Sequence, residues 1–490
     1  MSLIQITDNQ NIDYGLKDID DDLKEKIKKE IKVVYSDKNL ETLNKDNNFI
    51  MYPSSHDKDT NIFEHRNGQL WSSNLVGFIN IRTEVDAGLQ QDNYLEINTR
   101  FYDSGDSEED YLLHYLILRK LKYNVIQDKL PTEHMPYYQL LMILFPDLLN
   151  KAMKKGIYKE YIKRQYNDTN IKGIIDVARH IKSNTPFIGK IAYNTREFSF
   201  DNNITELIRH TYEKIKNFIN HIEKPDKIFQ ENIKNIIEVT PKYNKMERSK
   251  VLRNNINKPL KHGYYHEYLE LQKICILILM DEKISFGTCD QLNINGILID
   301  VSWLWEDFLA GLLVEKGFKH PDNKNRSDGI SLFSNRKRTV YPDFYKESSN
   351  GKEAIVADIV LDAKYKKLQS YTNTDSKKIN RDDLYQMISY LHVLNAEKAG
   401  VIFPIKPKEE INDSIDGVED DKNNVSEIET SMLNIGSLNG YGGDIYKIGF
   451  VIPQNEKTFE AFEKSMNESI EVFNENIDKL IDELCKKETI

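Results

Sequence analysis

The chain has 490 residues, with 67 Lys and Arg against 78 Asp and Glu, a net charge of −11, 39% hydrophobic and 10% aromatic content. This excludes a small disulfide-stapled domain and a chain kept disordered by its composition, and the length suits two to four domains. The acidic balance also excludes a protein that coats nucleic acid by general attraction, so any nucleic-acid contact must be local.

Three cysteines, Cys275, Cys289 and Cys485, supply neither a four-thiolate metal site nor a disulfide framework, and they fit a reducing cytoplasm. The longest apolar run, Ile274 to Met280, is far below the roughly 18 residues a membrane span needs, and the N-terminus lacks a basic-then-apolar signal. The expectation is a soluble, cytoplasmic protein with no membrane contact. There is no phosphate loop, no H-E-x-x-H, no G-x-S-x-G and no dinucleotide fingerprint, so any NTPase that works with this chain is another polypeptide.

Residues 1–110 read as a small α+β module. Ile19, Leu23, Ile27 and Ile31 recur every four positions behind Asp18, Asp20, Asp21 and Asp22, as in a capped amphipathic helix. Leu75 to Ile81 and Tyr94 to Asn98 read as strands. Residues 111–286 read as a mainly helical scaffold, with helical spacing over Tyr111 to Lys122, Tyr137 to Lys154, Ile204 to Ile222 and Tyr264 to Met280. A polar stretch interrupts them, with Ile171 to Asp176, His180, Asn184 to Phe187 and Tyr193 to Phe198; turns and caps account for such stretches more often than binding does.

Residues 287–490 read as an α/β domain. The order is a helix Val301 to Lys316, strands Thr339 to Lys346 and Ala354 to Tyr365, a helix Arg381 to Leu394, and strands Gly400 to Phe403 and Ile445 to Pro453. A closing helix carries the apolar stripe Phe459, Phe462, Met466, Ile470, Phe473, Ile477 and Ile481, which suits a core. Between these elements, residues 409–443 are acidic and rich in Asn and Ser, and read as a long mobile insertion.

The chemistry concentrates in Pro342-Asp343 and Asp362-Ala363-Lys364. The turn-prone Ser348 to Gly351 lies between them, so the two strands can fold as a hairpin that brings both carboxylates to one end. Alternation along a strand puts Asp362 and Lys364 on one face and Ala363 on the other. Two carboxylates so placed favour a hard divalent cation such as Mg²⁺, with Mn²⁺ as a second candidate. A water held by that cation gives up its proton more readily, and an adjacent lysine steadies charge building on a phosphorus, which together suffice for phosphodiester hydrolysis.

D-x-K by itself is common here, at Asp22/Lys24, Asp281/Lys283 and Asp375/Lys377. What sets Asp362/Lys364 apart is the apolar run Ile355, Val356, Ile359, Val360 and Leu361 before it, together with the upstream Pro-Asp. The competing reading is a structural Asp–Lys ion pair at a strand end. Gln386 and Tyr390 fall on one helix face and can look back at the strand end, towards a phosphate or the substrate strand. Glu306 offers a further ligand, although a helical Glu is usually just solvated. Arg336, Lys337, Arg338, Lys366, Lys367 and Arg381 make a basic rim suited to a DNA backbone, or an ordinary solvated hairpin rim.

At these residues the sequence resembles the McrC family, the nuclease subunits of McrBC-type and LlaJI-type restriction systems. The carrying segments are Tyr341 to Phe344, Ile359 to Tyr365, Arg381 to Leu391 and Gly400 to Pro404, with weaker similarity at Lys172 to Asp176, Ile299 to Glu306 and Tyr94 to Ile97. The resemblance implies a PD-(D/E)XK endonuclease domain, a mixed sheet flanked by helices, with Asp343, Asp362 and Lys364 as the catalytic set and Mg²⁺ as cofactor. It also implies a McrB-like AAA+ GTPase ring as partner, with the N-terminal part of this chain docking onto it and stimulating nucleotide hydrolysis, and double-stranded DNA as substrate.

The expected function is therefore that of the metal-dependent DNA-cleaving subunit of a GTP-driven restriction complex. Asp343, Asp362 and Glu306 would bind the metal, Lys364 and Gln386 would assist the attack, and Tyr390 would touch DNA. Two rivals remain at this point: an adaptor whose nuclease fold is only structural, and a repair nuclease that acts alone.

Overall fold

The computed structural model describes residues 3–487 apart from 18, 37, 44–48, 54–59, 85–89, 103–109, 122–123, 126–135, 224–226, 281–294, 322–328, 332, 334–338, 349–356, 367–378, 408–431 and 441. Two units interleave along the chain. One comprises Met1–Leu43, Met51–Lys122 and Ile297–Ile490; the other comprises Asn44–Ile50 and Tyr123–Gly296. The first and last of the three segments read from the sequence thus contribute to the same unit.

The reason lies in a strand at the start of the last segment. In the first unit, β1 (Leu3–Thr7), β2 (Leu75–Glu84), β3 (Gln90–Asn98) and β4 (Gly296–Asp300) are hydrogen-bonded in the order β1-β3-β2-β4. Strand β4 lies so close to β2 that a Cβ on Gly77, at φ +132°, would sit 2.0 Å from the carbonyl oxygen of Ile297. Only glycine fits such an approach. Helix α1 (Asp21–Glu30) begins where Asp20 accepts from the Asp22 N–H, and it buries Ile27, as the four-residue spacing predicts. Helix α2 (Tyr111–Leu121) also lies where helical spacing predicts.

Strand β4 runs directly into α3 (Val301–Glu315), which Asp300 caps by accepting from the Trp303 N–H at 3.0 Å. The second sheet follows: β5 (Phe344–Glu347), β6 (Ala357–Ala363), β7 (Lys398–Ile405), β8 (Met432–Ser437) and β9 (Asp444–Val451), in the order β5-β6-β7-β9-β8. Its centre is parallel, β6 with β7 and β7 with β9, and both edges are antiparallel. β8 falls inside 409–443, the stretch expected to be a mobile insertion; residues 409–431 of that stretch lie outside the described residues.

Helix α4 (Arg381–Leu394) covers one face of this sheet, packing Met387, Tyr390, Leu391 and Leu394 on Val360, Ala399, Val401 and Ile445. Each such side chain contributes about 1.5–3 kcal/mol when fully buried. Asn395 ends α4 in the left-handed region at φ 50°, and the Ala396 N–H returns to the Leu391 carbonyl at 2.9 Å. On the other face Phe450 meets Trp305 and Phe308 of α3 and Phe473 of α5 (Phe459–Lys487) in ring contacts of 5.4–5.5 Å. Of the apolar stripe of α5, Phe462, Met466, Phe473 and Ile477 are core.

The second unit holds the helices Pro136–Met153, Asn203–His221, Lys227–Val239, Arg248–Asn257 and Glu267–Met280. The polar stretch, expected to be turns and caps more often than a binding segment, contains two strands: Ile191–Ser199 pairs antiparallel throughout with Glu160–Asp168, which precedes the stretch, and Ile174–Ile175 adds a short third strand. Charged and polar residues alternate along these strands, which hid them from a search for apolar runs. The helix Val177–Ser183 starts at Asp176, whose carboxylate accepts from the Arg179 N–H.

Candidate active site

The run Thr339 to Lys346, expected as one strand, is two. Thr339–Val340 pairs with Ile330–Ser331, and β5 begins only at Phe344, because Pro342 lacks an N–H and biases Tyr341 away from a continuous ladder. Strands β5 and β6 pair with Phe344 opposite Leu361, Tyr345 opposite Val360 and Lys346 opposite Ile359. Continued by one residue, that register sets Asp343 opposite Asp362. The turn expected at Ser348 to Gly351 lies outside the described residues, Ser348 apart.

Asp343 Oδ2 accepts from the main-chain N–H of Ala363 at 2.7 Å, which fixes its carboxylate at the end of β6. Asp362 is 1% exposed. Its Oδ1 accepts from Gln386 Nε2 at 3.0 Å, and its Oδ2 lies 2.7 Å from Lys364 Nζ. Lys364 Nζ in turn donates to Gln386 Oε1 at 3.0 Å, closing a ring of three side chains. Helix α4 aims Gln386 here because it sits beside the buried stripe that includes Met387 and Tyr390.

Burial pushes the Asp343 carboxyl well above its usual range, and repulsion from Asp362 and Glu306 adds to this. Burial also raises Asp362, against the pull of Lys364. For Lys364 burial acts downwards, but Asp362 and Asp343 outweigh it and hold the ammonium above its ordinary value. Two buried carboxyls that resist being ionised together gain from a shared cation. Asp362 Oδ2 is buried, with Lys364 Nζ 2.7 Å away. A hard divalent cation fits this donor set. Among the described residues no group of three or more His, Cys, Asp or Glu is placed to hold a metal. Asp343 and Asp362 are the two carboxylates here that could hold it.

Glu306, on α3, is one-third exposed, acts on Asp343 through its charge, and has Oε1 3.9 Å from His320 Nε2. It does not complete a three-residue cluster. Tyr390 occupies a place unlike the expected DNA contact: it is 8% exposed, and its hydroxyl accepts from Gln386 Nε2 at 3.0 Å and donates to the Tyr341 carbonyl at 3.5 Å. Lys366 Nζ is held by both carboxylate oxygens of Asp383, at 2.9 and 3.0 Å. Arg381 is exposed and donates from Nε to the Tyr385 hydroxyl on the surface of α4. Arg336, Lys337, Arg338 and Lys367 lie outside the described residues.

Two features of the site escaped the sequence. His320 Nδ1 donates to the Asp343 carbonyl at 2.8 Å. Arg100 donates to the carbonyl of Tyr365, the residue after Lys364. Neither belongs to a motif, and nothing in the residue spacing signals them.

The chain matches the family described as McrBC 5-methylcytosine restriction system component over residues 70–404. No curated protein matches it. Among solved structures it is similar to the refined half-complex from a tetradecameric assembly of Thermococcus gammatolerans McrB AAA+ hexamers with bound McrC, at 14% identity and a TM-score of 0.45, covering 98% of this chain and 100% of that one. It is also similar to the Thermococcus gammatolerans McrBC complex, at 13% identity and a TM-score of 0.25, covering 64% of this chain and 87% of that one. Among the described residues no helix is long and apolar enough to cross a membrane. With the family matched over more than half its length, the chain belongs to the McrBC 5-methylcytosine restriction system components.

Proposed function

We propose that this chain is the McrC-like, DNA-cleaving subunit of a restriction complex, with a PD-(D/E)XK site that needs Mg²⁺ and a McrB-like AAA+ GTPase as its partner. The observation that carries the reading is the pairing of Asp343 with Asp362 at the end of β6, beside the Lys364–Gln386 ring. The mixed sheet flanked by α3, α4 and α5 supports it.

In this reading Asp343 and Asp362 hold the cation, which when bound supplies Lewis-acid polarisation of a phosphate oxygen and acidifies water. Lys364 keeps its charge at the strand end and offsets the negative charge that builds on the phosphorus. Gln386 holds both Asp362 and Lys364 in place, so the carboxylate and the ammonium face the substrate in one fixed geometry. Tyr390 steadies Gln386 from behind.

The absent phosphate loop assigns nucleotide hydrolysis to the partner. Docking finds support in the second unit, where large apolar side chains stay exposed over residues 171–200: Ile174 at 82%, Ile188 at 66%, Phe187 at 64% and Val177 at 62%. Within residues 1–110 only Tyr14 and Val33 among the described residues are comparable. Exposed apolar groups gathered in one stretch are characteristic of an interaction surface, so residues 171–200 make a better docking candidate than the N-terminal module.

The test is reconstitution of wild type and Asp362→Ala with the AAA+ partner, GTP, Mg²⁺ and plasmid DNA. The variant should lose cleavage by roughly a thousandfold and still stimulate GTP hydrolysis. A wild-type complex that stimulates hydrolysis but never cuts would instead make the fold a structural adaptor. Cutting by the chain alone would make it a stand-alone nuclease.

A further inference from the structure

The segment Phe318 to His320 lies along the outer edge of β5. The Lys319 N–H donates to the Tyr345 carbonyl at 2.7 Å and the Tyr345 N–H returns to the Lys319 carbonyl at 3.0 Å. This two-way bond seats the next side chain, His320, over Phe344, where the rings stack at 5.1 Å with 28° between their planes. From there His320 Nδ1 reaches the main-chain carbonyl of Asp343 at 2.8 Å. A carbonyl only accepts, so the Nδ1 carries the proton. The other ring nitrogen, Nε2, faces Glu306 Oε1 at 3.9 Å. One imidazole therefore touches the backbone of Asp343 and faces the carboxylate whose charge Asp343 feels most after that of Asp362.

Asp343 lies just outside β5, in the break made by Pro342, and no ladder bond of the β5–β6 pair holds its carbonyl. Its side chain is fixed from one side by the Ala363 N–H. We propose that His320 is a positioning residue: by holding the Asp343 carbonyl it fixes the irregular segment before β5 in the shape that points the Asp343 carboxylate at a divalent cation. This rests on the nuclease reading above. The physical argument is that a carboxylate on an irregular segment loses affinity for a cation when it must be ordered on binding, and a partner that orders it beforehand removes that cost.

Three substitutions separate the ring's roles. His320→Phe keeps the stack on Phe344 and removes both nitrogens. His320→Asn places an amide donor where Nδ1 lies, whereas His320→Gln places it nearer Nε2. The experiment is Mn²⁺ titration of the full chain by calorimetry, with thermal midpoints measured without metal to check each fold. The expected result is Mn²⁺ affinity lowered about tenfold or more in His320→Phe and His320→Gln, and largely restored in His320→Asn, with similar midpoints throughout. Should His320→Phe fail to fold, the contrast between His320→Asn and His320→Gln decides. Equal Mn²⁺ affinity in the wild type, His320→Gln and His320→Phe overturns this proposal and leaves the nuclease reading standing. A wild-type chain that binds no Mn²⁺ overturns both.

Discussion

Arg100 donates from Nη1 to the main-chain carbonyl of Tyr365 at 2.9 Å and lies over the Tyr365 ring at 4.5 Å, so the residue that follows Lys364 is tied to the end of the N-terminal sheet. Asp8, fully buried, accepts from the Arg100 main-chain N at 2.5 Å and from its Nε at 3.0 Å. The buried Asp8–Arg100 ion pair of the N-terminal module thus also holds the main chain just past β6.

Arg100→Leu strands the Asp8 charge in the interior and should lower unfolding free energy by about 3–5 kcal/mol. Replacing both partners, Asp8→Leu with Arg100→Leu, leaves neither charge unpaired and should cost less than the single change. Denaturant midpoints of the three chains check this, and a double variant weaker than Arg100→Leu would contradict it.

Gln386→Ala should reduce cleavage by the assembled complex about 10- to 100-fold, because Asp362 and Lys364 lose the amide that bridges them. Gln386→Glu should be at least as severe, since a carboxylate there repels Asp362. Single-turnover cleavage at saturating Mg²⁺ measures both, and an unchanged rate in Gln386→Ala would remove the residue from the site.

The ordered set Tyr341 to Phe344, Asp362 to Lys364 and Gln386 was legible in the sequence because each piece follows from a local rule: strand alternation, the apolar run before Asp362, and helical spacing. Pairing of the two aspartates followed from their place on facing strands. What stayed hidden depends on long-range contact. Tyr390 was expected at the strand end as a contact to DNA, and only the packing of α4 on β6 and β7 shows its hydroxyl between Gln386 and Tyr341; Arg100 has no local mark that it crosses 265 positions to reach Tyr365. The paired strands at 160–168 and 191–199 were missed because both faces carry polar residues, so no period-two apolar pattern exists to be read.

Polar substitution of the exposed apolar stretch tests where the proposed AAA+ partner docks. Ile174→Asp together with Phe187→Ser should weaken association with the AAA+ ring at least about tenfold, roughly 1.4 kcal/mol, while the thermal midpoint stays put because both side chains are mostly exposed. Binding measured by light interferometry at constant salt decides, and wild-type affinity would move docking elsewhere.

Lys273, on the helix Glu267–Met280, is 4% exposed, and burial pulls its ammonium down to about 8 from 10.5. Below pH 8 the folded and unfolded chains both carry the charge, and only the folded one suffers its burial. Between pH 8 and 10.5 the folded chain has released the proton while the unfolded chain keeps it, so wild-type stability gains with pH. Lys273→Met, which also loses the Nζ donation to the Phe49 carbonyl, should therefore lose up to about 3 kcal/mol of stability relative to wild type between pH 7 and pH 10.5. Melting curves across that range check the sign; a variant that gains on wild type as pH rises would refute it.

In the proposed nuclease, Asp343 and Asp362 share one divalent cation. Anomalous diffraction from crystals of the full chain soaked in Mn²⁺ tests it most directly. A manganese peak is expected about 2.1 Å from a carboxylate oxygen of each residue, lost in Asp362→Asn. A well-occupied peak bound to other side chains, with the two carboxylates turned apart, would contradict it.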